Sequence, residues 1–367
     1  MWIRHFFESD MQLQHVPSQE QRNLTAAASR RCASKSLLAV VLMLGTAHSS
    51  ALAQADFYKG KTVTLVVGAR VTGSLSIGAQ IVSRHLGRFI PGNPITILRQ
   101  MPGGAHLNAT NYAYNVAEPD GLTILAANPP IATAQLLQVP AVRFDIRKFE
   151  WLGSSGSEGA IFSIRPDLPY KTFQELRDSQ REIIAGTTGP GSNSHDVPLL
   201  LKEFAGLKVK LVSGYAANAD VRLALERKEV DAWTSMATTM RLAGERGIVR
   251  PLVRSSRAPV PTLNHLPVDE DLATSELGRS LMLIRGTPLA IGRPYAVRPG
   301  TPPERVAILR GALAILVADP QFLSESNAAQ IDMEHITAEE VAKRFNAMIS
   351  QPPEAIEAMH KYIKLGD

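Results

Sequence analysis

The sequence predicts an α/β protein of two similar lobes, each a mainly parallel sheet flanked by helices. Three observations carry that expectation. From Val63 to Thr123 short apolar strands alternate with segments of helical spacing. The same alternation restarts at Ile183 and runs to Ser235. Each strand then breaks into Gly, Ser, Thr, Asn or Pro, and open α/β sheets bind ligands at those carboxyl ends.

The first strand is Val63-Thr64-Leu65-Val66-Val67, a nearly unbroken apolar run of the kind a sheet covered on both faces requires. A polar segment from Gly68 to Ser76 precedes a helix over 77–89, with Ile77, Ile81, Val82, Leu86 and Phe89 on one stripe. Ile95-Thr96-Ile97-Leu98 is the second strand. It stops at Met101-Pro102-Gly103-Gly104, and a helix runs on through Ala113. The third strand, Leu122 to Leu125, leads to Asn128-Pro129-Pro130, while Phe144 to Trp151 reads as surface. Ala160 to Ile164 is another strand, and Thr172 with Glu175 forms a capping box that opens a helix.

In the second set, Ile183 to Ala185 leads into a Gly- and hydroxyl-rich loop ending at His195, with a helix over 197–204. A strand from Val209 ends at Ser213-Gly214-Tyr215. A helix over 220–228 then leads to a strand, Val230 to Trp233. Pro251 to Pro267 reads as strand plus loop, and Leu289 to Ile291 and Tyr295 to Val297 as returning strands. Thr301 with Glu304, and Thr337 with Glu340, are further capping boxes. The expected division is residues 54–164 with 290–367 for the first lobe and 165–289 for the second.

At the start of the chain, Arg30, Arg31 and Lys35 precede the apolar run Leu37 to Leu44, and Ala51-Leu52-Ala53 makes a cleavage site. This is the build of a secretory signal over 1–53, and the run falls short of the about 20 apolar residues a membrane span needs. Cleavage after Ala53 leaves 34 Lys and Arg against 31 Asp and Glu. That balance is too even for a nucleic-acid or membrane-surface protein. The one cysteine, Cys32, is lost with the signal, so neither a disulfide nor a thiol nucleophile is expected. Export without disulfides fits a bacterial periplasm.

The chain shows no P-loop, no H-E-x-x-H and no G-x-S-x-G elbow. Gly189-Pro190-Gly191 begins a dinucleotide fingerprint, but Ser194 stands at the third glycine position, so no nucleotide cofactor is expected. No histidine has a partner at ligand spacing, so no metal is expected. What remains is an inventory for anions. Helix starts offer unpaired N–H groups at a positive dipole end, each contributing roughly 0.3–1 kcal/mol toward an exposed anion. Thr72, Gly73, Ser74 and Ser76 mark one start, Gly103 and Gly104 precede another, and Asn128 follows the third strand. Thr187, Thr188, Gly189, Ser192 and Asn193 make the corresponding loop of the second lobe. Singly these are ordinary helix caps; together, facing one crevice, they could hold a small carboxylate without a buried cation. Arg70 either pairs with that carboxylate or points to water, and Tyr215 either faces the cleft or covers a strand end. His195 is the residue on which a rival reading, an exported enzyme acting on an anion, would depend.

Several stretches together resemble the Bug, or TctC-type, extracytoplasmic solute receptors of tripartite tricarboxylate transporters. They are Phe57 to Lys61, His85 to Pro94, Met101 to Gly104, Asn111-Tyr112 with Glu118 to Gly121, Val230 to Ala232, and Pro299 to Pro302. The resemblance implies a two-lobed periplasmic-binding-protein fold (type II-like) that closes on a small carboxylate without catalysis. It also implies permease subunits as partners, and a monomer is expected. A sensor that presents its ligand to a signalling partner would look the same. The first loop departs from the family's pattern: Ser76 stands where an aspartate usually opens the helix and Gln80 where an arginine usually follows.

Overall fold

A computed structural model describes residues 57–69, 74–329 and 331–362. The signal sequence expected over 1–53 lies outside the described residues.

Two five-stranded sheets organise the chain, in the orders β2-β1-β3-β10-β4 and β7-β6-β8-β5-β9. In the first, β1 (Thr62–Val67), β2 (Ile95–Gln100) and β3 (Thr123–Ala126) are parallel, and β10 (Pro294–Val297) runs antiparallel between β3 and β4 (Glu150–Ser154). In the second, β6 (Ile183–Thr187), β7 (Val209–Ser213) and β8 (Ala232–Met236) are parallel. There β5 (Ala160–Ile164) is antiparallel to both β8 and β9 (Arg250–Arg254). The sheets are mixed, because in each one the strand that enters or re-enters the lobe is inserted against the direction of the rest.

The helices are α1 (Ser74–His85), α2 (Leu107–Asn115), α3 (Ile131–Leu136), α4 (Phe173–Asp178), α5 (Asn193–Ala205), α6 (Asn218–Glu226) and α7 (Ala237–Glu245). They continue as α8 (Asp269–Leu272), α9 (Glu276–Ile291), α10 (Pro303–Val317), α11 (Pro320–Ala328), α12 (Ala338–Ile349) and α13 (Pro353–Tyr362). Strand periodicity divides the core into layers, since successive side chains point to opposite faces. Leu65 and Val67 join Ile81 of α1 and Leu309 of α10 on one face of the first sheet. Val66 points the other way, into a core shared with Trp151, Phe162, Leu281 of α9 and Phe345 of α12. Ile161 and Trp233 close the far face of the second sheet under α6 and α7. One continuous apolar core therefore runs from the inner face of one sheet to the inner face of the other, bridged by α9 and α12.

Several expectations are corrected. β5 hydrogen-bonds within the second sheet, so the chain leaves the first sheet after Ser154 and joins the second at Ala160. The last helix packs on α9 and α5, with the rings of Phe204 and Tyr362 edge to face at 5.2 Å. Leu289 to Ile291 close α9 as helix and are not a strand; Ser275 caps that helix by accepting from the Gly278 N–H at 3.2 Å. Phe144, Ile146, Phe149 and Trp151 are buried, because the apolar residues of this mixed stretch face the shared core. Thr301 is no cap: its hydroxyl donates to the Arg298 carbonyl at 2.8 Å, and α10 starts at Pro303.

Candidate functional site

The carboxyl ends of both sheets are brought to one place by the way the chain crosses. β4 ends at Ser154, beside the carboxyl ends of the parallel strands of its sheet, and six residues later β5 begins at Ala160 opposite Met236, the last residue of β8. The return runs from Ile291 through Gly292 and Arg293 to Pro294. The two crossings lie against each other: Arg293 N–H donates to the Gly156 carbonyl, Ser155 N–H to the Arg293 carbonyl (both 3.1 Å), and Glu158 N–H to the Leu289 carbonyl at 2.8 Å. A third segment joins them, with Ser154 and Ile336 bridged antiparallel and Glu334 N–H on the Ser155 carbonyl. A methyl group on Gly292 would lie 1.9 Å from the Gly156 oxygen, and Gly292 has φ +68°, so this close approach requires glycine.

On the first-lobe side, Arg70, Thr72 and Gly73 lie outside the described residues, and Ser74 is placed as the first residue of α1. Ser76 is fully buried and accepts from Gln100 Nε2 at 3.2 Å, which ties the helix start to the end of β2. After β2 the backbone runs through four successive positive φ values: Gly103 at 119°, Gly104 at 55°, Ala105 at 49° and His106 at 75°. Left-handed geometry costs about 1–3 kcal/mol for a residue with a Cβ, so this loop holds a shape its sequence alone would not choose. Gly68, just after β1, permits it, since a methyl there would sit 2.8 Å from the His106 Cα. Among the described residues His106 Nδ1 is buried without a hydrogen-bond partner, and burial lowers the pKa of its ring. The Asn128 carbonyl accepts the Ile131 N–H at 3.0 Å, turning the chain into α3.

On the second-lobe side the predicted loop residues do come together, and they hold one another. Thr187 Oγ1 accepts the Gly189 N–H at 3.0 Å, and Ser194 Oγ accepts the Thr188 N–H at 3.0 Å. Ser192 Oγ donates to the Gly189 carbonyl at 2.6 Å. His195 Nδ1 meets Asp196 Oδ1 at 2.9 Å, and the same oxygen takes the Gly191 N–H. These side chains build the loop, and at the start of α5 the His195 and Asp196 N–H groups donate to the Ser192 carbonyl at 3.1 and 2.9 Å. Asn193 is different: its Nδ2 lies 3.1 Å from Met236 Sδ at the end of β8, and its Oδ1 accepts from Arg285. Tyr215 packs its ring beside Gly186 and the α6 core and so covers a strand end.

The sequence reading missed two arginines. Arg293, 6% exposed, joins the crossings by binding Glu158 and the Asp332 carbonyl, the latter at 3.2 Å. Arg285 on α9 donates to Ser255, which follows β9, and to Asn193. The visible signal for Arg285 was a lone charge directly after the apolar run from Leu281 to Ile284. Behind it lies Asp269, whose carboxyl is pushed up to about 7 by burial. Among the described residues no group of three or more His, Cys, Asp or Glu is placed to hold a metal ion.

This architecture is that of a two-lobed periplasmic binding protein. The chain is similar to a TctC solute-binding protein from Polaromonas, with a TM-score of 0.67 and 17% identity over 83% of this chain and 99% of the other. It also aligns with a periplasmic transporter (TM-score 0.50, 17% identity, 84% and 100% covered) and with the periplasmic binding protein BugD (0.49, 21%, 83% and 98%). No family model and no curated protein matches the chain.

Proposed function

We propose that the chain is an extracytoplasmic solute receptor of the TctC type. In this reading it captures a small carboxylate in the periplasm and presents it to the permease subunits of a tripartite carrier. One observation carries the reading: the carboxyl ends of two sheets meet across a glycine-bearing double crossing. The strand-end motifs and the likeness in fold to the Polaromonas protein support it. The ligand would bind the amides and hydroxyls of one lobe, and the other lobe would close over it. Closure follows only if the ligand prefers the closed form, since equal affinity for both forms shifts nothing. No bond is broken in this mechanism, and the His195–Asp196 pair braces the loop instead of moving protons. The lobes would then be 57–154 with 294–349, and 160–291 with 353–362.

Thermal melting of the mature chain across a panel of mono-, di- and tricarboxylates tests this. A carboxylate present at 100 times its dissociation constant should add about 2.7 kcal/mol. Folded protein whose melting no carboxylate moves would refute the reading.

A further inference from the structure

The segment 331–336 is held to the first sheet at both of its ends. Ile331, 4% exposed, joins the core that Leu65 and Val67 share with α10, and Ile336 bridges Ser154 at the end of β4. Between them Arg293 donates to the Asp332 carbonyl at 3.2 Å, which fixes the backbone that carries the Asp332 side chain. That side chain reaches the other half of the molecule: its carboxylate accepts a hydrogen bond from the Thr238 hydroxyl in the first turn of α7. α7 belongs to the second sheet, where its Met240 lies in one core with Ile161 and Trp233 and its Ala237 N–H donates to the Gly159 carbonyl at 2.8 Å. Among the described residues this is the one hydrogen bond from 331–336 to the second sheet or its helices. The helix opens without a side-chain cap of its own, so the carboxylate also stands at an end of positive partial charge.

The side on which this contact lies gives it a role. α9 and α12 join the sheets through the core that holds Val66, Phe162 and Phe345. Neighbouring side chains of a strand point to opposite faces, so Leu65 and Ile161 mark the faces turned away from that core. Ile331 and α7 lie on those outer faces, and a rotation that parts the sheets about the α9–α12 bridge separates Asp332 from Thr238. We propose that Asp332 and Thr238 form a latch across the hinge, which holds the lobes together in the ligand-free chain and is released when they part. The inference rests on the lobe motion of the receptor reading. It adds that the chain itself sets the resting balance of open and closed forms before any ligand arrives.

The test measures distances between spin labels on the outer faces, at Ile315→Cys on α10 and Leu223→Cys on α6, which are 57% and 40% exposed. The labelled parent also carries Cys32→Ser, so that only these two thiols react, and no ligand is added. Thr238→Val and Asp332→Ala should each raise the ratio of long to short distances at least twofold in double electron–electron resonance. The double variant should match the larger single effect, as expected when both changes break one contact. Thr238→Ser, which keeps the hydroxyl, should match the parent. A rise below twofold in either single variant, a double variant equal to the product of the two, or Thr238→Ser behaving as Thr238→Val overturns the latch. Should Thr238→Val fail to fold, Asp332→Ala and Thr238→Ser decide. Failure of the latch leaves the receptor reading standing, because that reading falls only with the carboxylate panel.

Discussion

At the scale of single residues, burial makes Asp269 and Gly292 the most sensitive positions. Asp269 is 1% exposed, and its carboxyl is raised from 3.8 to about 7. The folded chain therefore binds a proton that the unfolded chain has released between those values. Stability contributed by this group is complete below about pH 4 and is lost as pH rises through about 7. Urea midpoints measured from pH 4 to pH 8 should show this decline, and Asp269→Asn should flatten it. Gly292→Ala should cost at least about 2 kcal/mol, since the methyl meets a backbone oxygen and the positive φ adds strain. A denaturation midpoint close to wild type would show that the crossing yields. Residue-scale legibility was uneven. Small and hydroxyl residues announce a loop from sequence alone, so Thr187, Ser192 and Asn193 were visible. Arg285 was not, because its acceptors lie 92 positions upstream and 30 positions upstream in the chain.

Elements obey local rules where those rules are complete. Thr337 caps α12 by accepting the Glu340 N–H at 3.3 Å, and Thr337→Ala should cost about 1 kcal/mol in a denaturant titration. The loop after β2 follows a different logic. Pro102-Gly103-Gly104 announces a break, but nothing in the string shows that the left-handed turn continues through Ala105 and His106. Tertiary contact decides it: His106 is pressed against Gly68 of a neighbouring strand end. Ala105→Gly should relieve strain and stabilise the chain by about 0.5–1 kcal/mol. Unchanged or lower stability would mean that the turn sets no strain at that position. Helix α9 was missed for a comparable reason. Apolar runs ending near a proline read equally as strand, and its length shows only once its cap at Ser275 is seen.

For the whole molecule, the fold class and doubled plan were legible because strand-loop-helix repetition is written in the local pattern. The pairing of β5 and the docking of the last helix were not, because both are settled by packing partners far along the chain. The same packing predicts how the protein unfolds. Trp151 reports on the first sheet and Trp233 on the second, and a single core bridges the sheets' inner faces. Single-tryptophan variants should show coincident denaturant transitions, whereas two separated transitions would mean independent lobes. Phe345, whose ring lies 4.8 Å from Trp151, is fully buried in the bridge, and Phe345→Ala should lower both transitions together by about 3–5 kcal/mol.

The bridging helices would also set the geometry of access. With α9 and α12 both packed into the core the two halves share, the receptor proposed above would open as a book does, about a spine that stays closed. An extended ligand would then lie along the pages with its tail outside.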